Sequence, residues 1–334
     1  MNSYRRALAG LSLAATIVLC GASAPFDPGP YVRPQQLVDI GDRRLNLYCT
    51  GSGSPTVVLD SGLGRDMFDW HHVQSRIARR TRVCSYDRAG MGFSDPASSP
   101  RNAGAVVSDL HALLHNAGIA PPYVLAGHSI AGLYVRLYAD RYPREVAGLV
   151  FVDPATEYQD QRMHAIAPAL TAFDDRQTQG LKTCAAAAVR GELRPGTRAD
   201  RMCVPPPLAG LSKALNTAIL QQLRRPAMWN ALMSERDAFG ATSSAQVRSE
   251  QRSYGSLPLI VLTAGKSEDP DVIPPAQRIA LANDWRRSHD RIAALSSRGV
   301  NFVVPGAAHF IQLDRPAYVV SAIDEVVDQA RAGH

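Results

Sequence analysis

The sequence predicts an α/β fold, in which helices cover both faces of a mostly parallel central sheet and a helical cap is inserted before the last two strands. Three observations predict it. Short apolar runs alternate with segments of helical spacing along most of the chain. A strand turns sharply into a helix at residues 127–132. The alternation then stops for roughly a hundred residues, too many for a loop.

The composition is that of an ordinary globular protein. The 334 residues, 46% hydrophobic and 20% charged, suit one large domain or one domain with an insertion. The formal net charge of +6 comes from scattered arginines. We predict no nucleic-acid partner, because no nucleic-acid-binding module is visible. The sequence does not indicate an oligomeric state.

The first residues are typical of an export signal. Arg5 and Arg6 precede an apolar run at 7–20, and small residues follow it. We therefore predict a signal peptide at 1–22 and a secreted or periplasmic protein. The apolar run is too short to predict a stable membrane anchor.

The predicted core begins at residues 31–153. Its first two strands, at 37–40 and 45–49, flank a turn and form an antiparallel hairpin. Four buried strands follow, and helical spacing separates them. The four strands are predicted at 56–60, 82–86, 123–126 and 146–152, and the intervening helices at about 70–77, 106–117 and 130–138.

The rest of the chain holds the predicted cap and the second part of the core. Residues 154–255 have helical spacing without a clear buried strand, which predicts the cap. The second part of the core, 256–334, resumes the alternation with strands at 258–263 and 300–304. Helices are predicted at 274–295 and 316–330.

Ser129 lies at the turn between a predicted strand and a predicted helix. Gly127 stands two residues before it, Ala131 two after it, and Gly132 follows. A turn this sharp strains the backbone at its central residue, so its neighbours must be small. The pattern predicts a nucleophile elbow; the alternative is a chance Gly-x-Ser-x-Ala in a chain rich in small residues.

Three motifs carry a family resemblance: Gly-His-Ser-Ile-Ala-Gly at 127–132, Tyr-Asp-Arg-Ala-Gly-Met-Gly-Phe-Ser at 86–94, and Ala-His-Phe at 308–310. Nearly the whole mature chain resembles the α/β-hydrolase superfamily, specifically its capped members. The resemblance implies acyl transfer by a serine at the elbow, without a cofactor. No spacing of histidines, cysteines or carboxylates suggests a metal site.

A serine hydroxyl needs a base to take its proton and a third group to orient that base. Ser129 is the predicted nucleophile and His309, in the loop after the last strand, the predicted base. The backbone N–H groups of Ile130 and Leu63 are the predicted donors to the oxyanion.

The acid that completes this set has two candidate positions. Asp153 ends a buried strand and is favoured, although Pro154 after it also makes Asp153 a good helix N-cap. Glu268 and Asp269 follow the next strand, where the resemblance places the acid more often. Their segment also has the composition of an exposed acidic loop.

The other polar residues of these motifs are interpreted as structural. His128, inside the elbow, is expected to point away from the Ser129 hydroxyl, and Asp87, Arg88 and Asp95 to hold a turn. His71 and His72, near the loop after Gly64, are interpreted as surface residues, with lining of the site as the alternative. The other histidines are interpreted as ordinary helix or surface residues: His111, His115, His164 and His289.

Four cysteines remain after the predicted signal: Cys49, Cys84, Cys184 and Cys203. An even number in an exported chain predicts two disulfides, with four buried thiols as the alternative. The resemblance places the strands of Cys49 and Cys84 side by side. It thereby implies one bond between these two cysteines and another between Cys184 and Cys203.

Together these features predict an exported serine hydrolase of a small-molecule carboxylic ester or a related acyl bond. Two alternatives remain open. One is a catalytically silent protein of the same fold that only binds. The other is an aminopeptidase-like enzyme, or another hydrolase of amides or lactones.

Overall fold

The computed structural model describes residues 27–97, 100–266 and 272–333. The predicted signal peptide at 1–22 lies outside these ranges, and so do Glu268 and Asp269. No helix within the described ranges has both the length and the apolar character needed to cross a membrane.

The described residues form one eight-stranded sheet. Its strands are β1 Gln36–Asp39, β2 Arg44–Thr50, β3 Thr56–Asp60, β4 Val83–Tyr86, β5 Tyr123–His128, β6 Val146–Val152, β7 Leu259–Ala264 and β8 Gly299–Val304. Their order across the sheet is β1-β2-β4-β3-β5-β6-β7-β8. The pairs β1–β2 and β2–β4 are antiparallel, and every other pair is parallel. The predicted fold class and hairpin are confirmed.

The helices, in chain order, are α1 His71–Ile77, α2 Ala103–Asn116, α3 Ala131–Arg141, α4 Gln159–Ile166, α5 Ala169–Val189, α6 Arg198–Cys203, α7 Lys213–Gln222, α8 Pro226–Ala238, α9 Ser244–Glu250, α10 Pro275–Ala293, α11 Ile311–Asp314 and α12 Pro316–Ala332. The strands predicted at 56–60 and 146–152 have the observed bounds. The other predicted strand and helix bounds differ by a few residues at the ends, where local signals are weakest.

The central strands bury both faces, as a parallel sheet covered on two sides requires. Successive side chains of a strand point to opposite faces. Leu125 of β5 packs in the apolar cluster that includes α2 and α3, whereas its neighbour Val124 packs with α1 and α12. In β6, Leu149 likewise packs in the first of these clusters and its neighbour Val150 in the second. This rigid sheet fixes the ends of its strands relative to one another.

Helices α4 to α9 occupy residues 154–255, every one of which the structure describes. This helical insertion has an apolar cluster of its own around Trp229, which Met91 from the core completes. The insertion also contains the Cys184–Cys203 disulfide. Cys49 and Cys84 are bonded across the paired strands β2 and β4. This is the cysteine pairing that the resemblance implies.

Candidate active site

The candidate site lies where the parallel strands end. Ser129 follows β5, Asp153 follows the adjacent β6, and the loop 61–64 follows β3 on the other side of β5. His309 comes from the loop after β8. The carboxyl ends of parallel strands share one edge of the sheet, which brings these four segments together.

Ser129 is held in a strained turn. Its φ is 55°, in the left-handed region that non-glycine residues rarely adopt. The Ser129 N–H donates to Val152 O at 3.1 Å, and Ser129 O accepts from the N–H groups of Gly132 and Ala155, each at 2.8 Å. These bonds to β6 and to the helix start hold the turn. The Ser129 side chain stays partly exposed, within reach of a ligand.

Glycine is required at two positions beside Ser129. A Cβ on Gly132 would lie 2.5 Å from Pro154 Cβ, and one on Gly127 would lie 2.7 Å from Ala131 O. Both distances are too short for real contacts. Ala131 is fully buried, so its methyl group fits. Gly127 and Gly132 are therefore the positions in the elbow where the sequence pattern's requirement for a small residue is strict.

His309 lies between the hydroxyl and a carboxylate. Its Nε2 is 3.0 Å from Ser129 Oγ, and its Nδ1 is 2.7 Å from Asp153 Oδ2. Both distances are hydrogen-bond distances. The structure thus brings three sequence-predicted residues, separated by up to 180 positions, into one chain of hydrogen bonds.

Asp153 is a buried carboxylate, 3% exposed, and both of its oxygens have hydrogen-bond partners. Its Oδ1 accepts from the Ala264 N–H at 2.9 Å and from Trp285 Nε1–H at 2.8 Å. Burial alone would raise the pKa of Asp153, but the hydrogen bonds from His309 and from the Ala264 N–H hold it below its ordinary value. The carboxylate therefore stays charged beside the imidazole.

The alternative interpretation of Asp153 as a helix N-cap is wrong. The next helix, α4, begins at Gln159, six residues later, and Tyr158 is its N-cap. Asp153 itself has a φ of 43°. Its carboxylate points back across the sheet edge, toward β7 and the loop of His309.

The interpretation of His289 as an ordinary helix or surface residue is also corrected, because His289 is 0% exposed. Its Nε2 is 2.9 Å from Pro154 O, and its Nδ1 is 2.7 Å from Thr263 Oγ1. The Nε2 atom must carry the proton, since a carbonyl oxygen only accepts. Burial lowers the pKa of His289, so the ring is neutral.

Trp285 and His289 were missed as members of the site. They are one helical turn apart on α10 and pack against each other with 4.8 Å between ring centroids. Trp285 holds the Asp153 carboxylate, and His289 holds the carbonyl of the next residue, Pro154. The only sequence signal is this i, i+4 spacing of two large polar rings on a helix.

His128 is structural, as predicted. It is buried, and its Nε2–H donates to His309 O at 3.0 Å, which ties the elbow to the loop of His309. Burial and the neighbouring His309 lower the pKa of His128 to about 3, so the ring is neutral. Gly62 leaves room for the ring, because a Cβ there would lie 2.9 Å from His128 Nδ1.

The backbone donors predicted for an oxyanion lie beside Ser129. A Cβ on Gly62 would come within 3.4 Å of Ser129 Cβ, so the loop 61–64 passes close to the hydroxyl. Within the described residues, neither the Leu63 N–H nor the Ile130 N–H donates to a backbone or side-chain acceptor.

Arg88 fixes the loop beneath these donors. This fully buried guanidinium donates to Ser61 O at 2.5 Å and to Gly62 O at 2.7 Å. It also pairs with Asp60 at 2.7 Å and, on the far side, with Glu235 at 2.8 Å. Glu235 belongs to α8 of the helical insertion and is 0% exposed. The predicted turn residue Arg88 therefore also joins the insertion to the loop.

Glu268 and Asp269 lie outside the described residues, so their position relative to His309 is left as a prediction. Across the part of the chain that the structure describes, no three side chains from histidine, cysteine, aspartate or glutamate gather as metal ligands.

Comparison with known proteins identifies the family. Residues 57–322 match the family model described as the alpha/beta hydrolase family. YqjL of Bacillus subtilis is 24% identical over 276 residues, which cover 83% of this chain and 85% of YqjL. YbdG of the same organism is 30% identical over 119 residues, 35% of this chain. Several curated matches span under half of the relative's length; the YbdG match spans 37% of that protein.

A solved structure shows the same fold. An esterase from Thermogutta terrifontis superposes with a TM-score of 0.54 at 21% sequence identity, over 89% of this chain and 99% of the esterase. At this identity the likeness concerns the fold alone.

Proposed function

The chain belongs to the alpha/beta hydrolase family, and on that premise we propose that it is a serine hydrolase cleaving a carboxylic ester or a related acyl bond. One observation carries the proposal. Ser129 Oγ lies 3.0 Å from His309 Nε2, while the other nitrogen of that ring lies 2.7 Å from the buried Asp153 carboxylate. A hydroxyl, an imidazole and a carboxylate in this order form an activated nucleophile.

The first half of the proposed reaction forms an acyl-enzyme. His309 Nε2 accepts the Ser129 proton as Oγ attacks the substrate carbonyl carbon. The carbonyl oxygen becomes an oxyanion, which accepts from the N–H groups of Leu63 and Ile130. His309 then gives its proton to the leaving alkoxide, and the C–O bond of the ester breaks. Asp153 stabilises the imidazolium throughout.

The second half returns the free enzyme. A water molecule gives a proton to His309 Nε2 and attacks the acyl carbon on Ser129 Oγ. The oxyanion forms in the same place and collapses, the bond to Oγ breaks, and His309 returns the proton to Oγ. A carboxylic acid leaves. The partly exposed Ser129 gives the water access.

We propose that the protein acts outside the cytosol. Two disulfide bonds are typical of an oxidising compartment.

We also propose that the helical insertion covers the site. Leu232 of α8 lies against the loop 61–64, since a Cβ on Gly64 would come within 2.5 Å of Leu232 Cδ1. The insertion thus contacts the loop that carries the Leu63 donor.

Hydrolysis of p-nitrophenyl esters tests the proposed function. We expect saturable release of p-nitrophenol from esters in a series from acetate to laurate, with one chain length preferred. Parallel assays with lactones and amino-acyl amides identify the acyl bond. A folded protein that accelerates none of these reactions would contradict the proposal and favour a silent binding protein.

A second experiment tests the connection between the insertion and the oxyanion loop. Gly62 C=O and Leu63 N–H belong to one peptide plane, so the bond from Arg88 to Gly62 O aims the N–H the opposite way. Glu235→Ala removes one of the carboxylates that hold the buried Arg88 guanidinium in place. The bond from Arg88 to Gly62 O, and with it the direction of the Leu63 N–H, should then be less firmly fixed. We expect about a tenfold lower kcat, since weakening one oxyanion donor costs less than removing it.

The same substitution is expected to destabilise the fold by about 3 kcal/mol, as for other broken buried ion pairs. Chemical denaturation and steady-state kinetics measure the two effects. Glu192→Ala is the matched control, since Glu192 pairs with Arg190 on the exposed surface of the same insertion. Equal behaviour of Glu235→Ala and Glu192→Ala in both assays would refute the connection.

A further inference from the structure

A cavity whose lining does not include Ser129 lies between the insertion and the core. Its volume is about 420 Å³, within the range of small-molecule sites. None of Ser129, His309 and Asp153 lines it. Its walls come from α3 and α10 of the core and from α4 and α9 of the insertion.

The charged side chains of this cavity are mostly cationic. Arg136, Arg162, Arg248 and Arg291 line it, against the single carboxylate of Glu157. Arg136 is buried, at 2% exposure, and pairs with Glu157 at 2.6 Å, so these two charges offset each other. Arg162 is 3.3 Å from Asp284, outside the lining. An excess of positive charge remains.

Two of the guanidinium groups converge on one neutral oxygen. Ser288 Oγ accepts from Arg291 Nη2 at 2.7 Å and from Arg162 Nη2 at 3.2 Å. Ser288 is buried, at 2% exposure. Like charges brought this close repel each other, and an anion between them would turn the repulsion into attraction.

Arg248 and Arg291 have no carboxylate to themselves, since Glu157, whose pKa is lowered by Arg136 and also by Arg248, is ion-paired with Arg136. Neither forms an ion pair within the described ranges, whereas nearby Arg141 pairs with Glu250 at 2.7 Å. Arg248 projects from α9 of the insertion and Arg291 from α10 of the core. Two unpaired guanidinium groups facing one cavity match a ligand that carries two negative charges.

Part of the remaining wall is apolar, beside the polar side chains of Thr156 and Gln251. Ile292, Leu295 and the ring of Tyr158 line the cavity beside the arginines. This surface suits a short hydrocarbon or aromatic body attached to the charged group. Inorganic anions would leave it uncovered.

We propose that this cavity binds a small organic dianion, a phosphate monoester or a dicarboxylate, with Arg248 and Arg291 on its charges. The bound dianion bridges the insertion and the core. This site is separate from the proposed catalytic centre and does not depend on the proposed hydrolysis.

Isothermal titration calorimetry tests the proposal, with phenyl phosphate and phthalate as the dianions and benzoate as the monoanion. We expect saturable binding of at least one dianion, at least tenfold tighter than benzoate. Arg248→Gln and Arg291→Gln should each weaken it about tenfold. Arg79→Gln is the matched control, because it removes a charge from the exposed surface near α1, on the other face of the sheet.

Three results would overturn the proposal. One is the absence of saturable dianion binding in the native protein. Another is equal weakening by Arg79→Gln, which would mean general attraction to a basic surface. The third is loss of binding when a fluorophosphonate blocks Ser129, which would place the anion in the catalytic centre. Both tested arginines are exposed at the rim, and thermal melting checks that the variants fold.

Discussion

Replacement of Ser129 by alanine is expected to lower kcat for ester hydrolysis by about 10⁴-fold or more, because no other group can form the acyl-enzyme. The fold should be unaffected. The Ser129 side chain contributes a hydrogen bond to His309, whereas the turn is held by backbone bonds that alanine keeps. Steady-state kinetics measure the loss, and circular dichroism checks the fold.

The matched control for this variant is Ser297→Ala, which removes an exposed hydroxyl far along the chain. It should retain full activity. If Ser129→Ala hydrolysed esters at the native rate, the nucleophile would have to be another residue, and the proposed mechanism would be abandoned.

Asp153→Asn is expected to lower kcat by about 10³- to 10⁴-fold, the size of effect that an orienting carboxylate has in such sites. The neighbouring hydrogen-bond donors determine the orientation of the new side-chain amide at position 153. The N–H groups of Ala264 and Trp285 both donate to the Oδ1 position, so the amide oxygen must occupy it. The amide NH₂ then faces His309 Nδ1 and displaces the ring proton to Nε2, where it blocks proton transfer from Ser129.

Asp269→Asn and Glu268→Gln are the companion variants, because these two residues are the alternative acids. We expect each to keep most of the native activity. A severe loss in either one, together with an active Asp153→Asn, would transfer the orienting role to the loop after β7.

Much of the fold follows from periodicity alone. The strands β3 and β6 are built around apolar runs and are followed by Ser61-Gly62 and by Asp153-Pro154, so their ends are visible in the sequence. The elbow is equally visible, since Gly127 and Gly132 are required by contacts with Ala131 and Pro154 that any such turn creates. Local chemistry determines these elements, and local sequence therefore reveals them.

The choice of acid could not be settled in the same way. Asp153 followed by Pro154 suits a helix start as well as a strand end, and only the donors on β7 and α10 distinguish the two. Those donors lie more than a hundred positions away in the chain. The resemblance allows both positions, so it does not decide between them.

Contacts between distant segments were also invisible in the sequence. Arg88 and Glu235 are 147 positions apart, and neither has a local pattern that marks the other as its partner. His289 has the helical setting of a surface residue until the packing of α10 buries it. The arginines of the cavity between the insertion and the core come from four separate helices. Tertiary packing creates each of these features.

The central claim is that Ser129 is the residue acylated during turnover. The most direct test is mass spectrometry of peptides after reaction with a fluorophosphonate probe, which traps a nucleophilic serine. We predict one adduct per chain, on the peptide containing Ser129, and none in the Ser129→Ala variant. An adduct on a different residue, or no adduct on a folded and catalytically active protein, would contradict the claim.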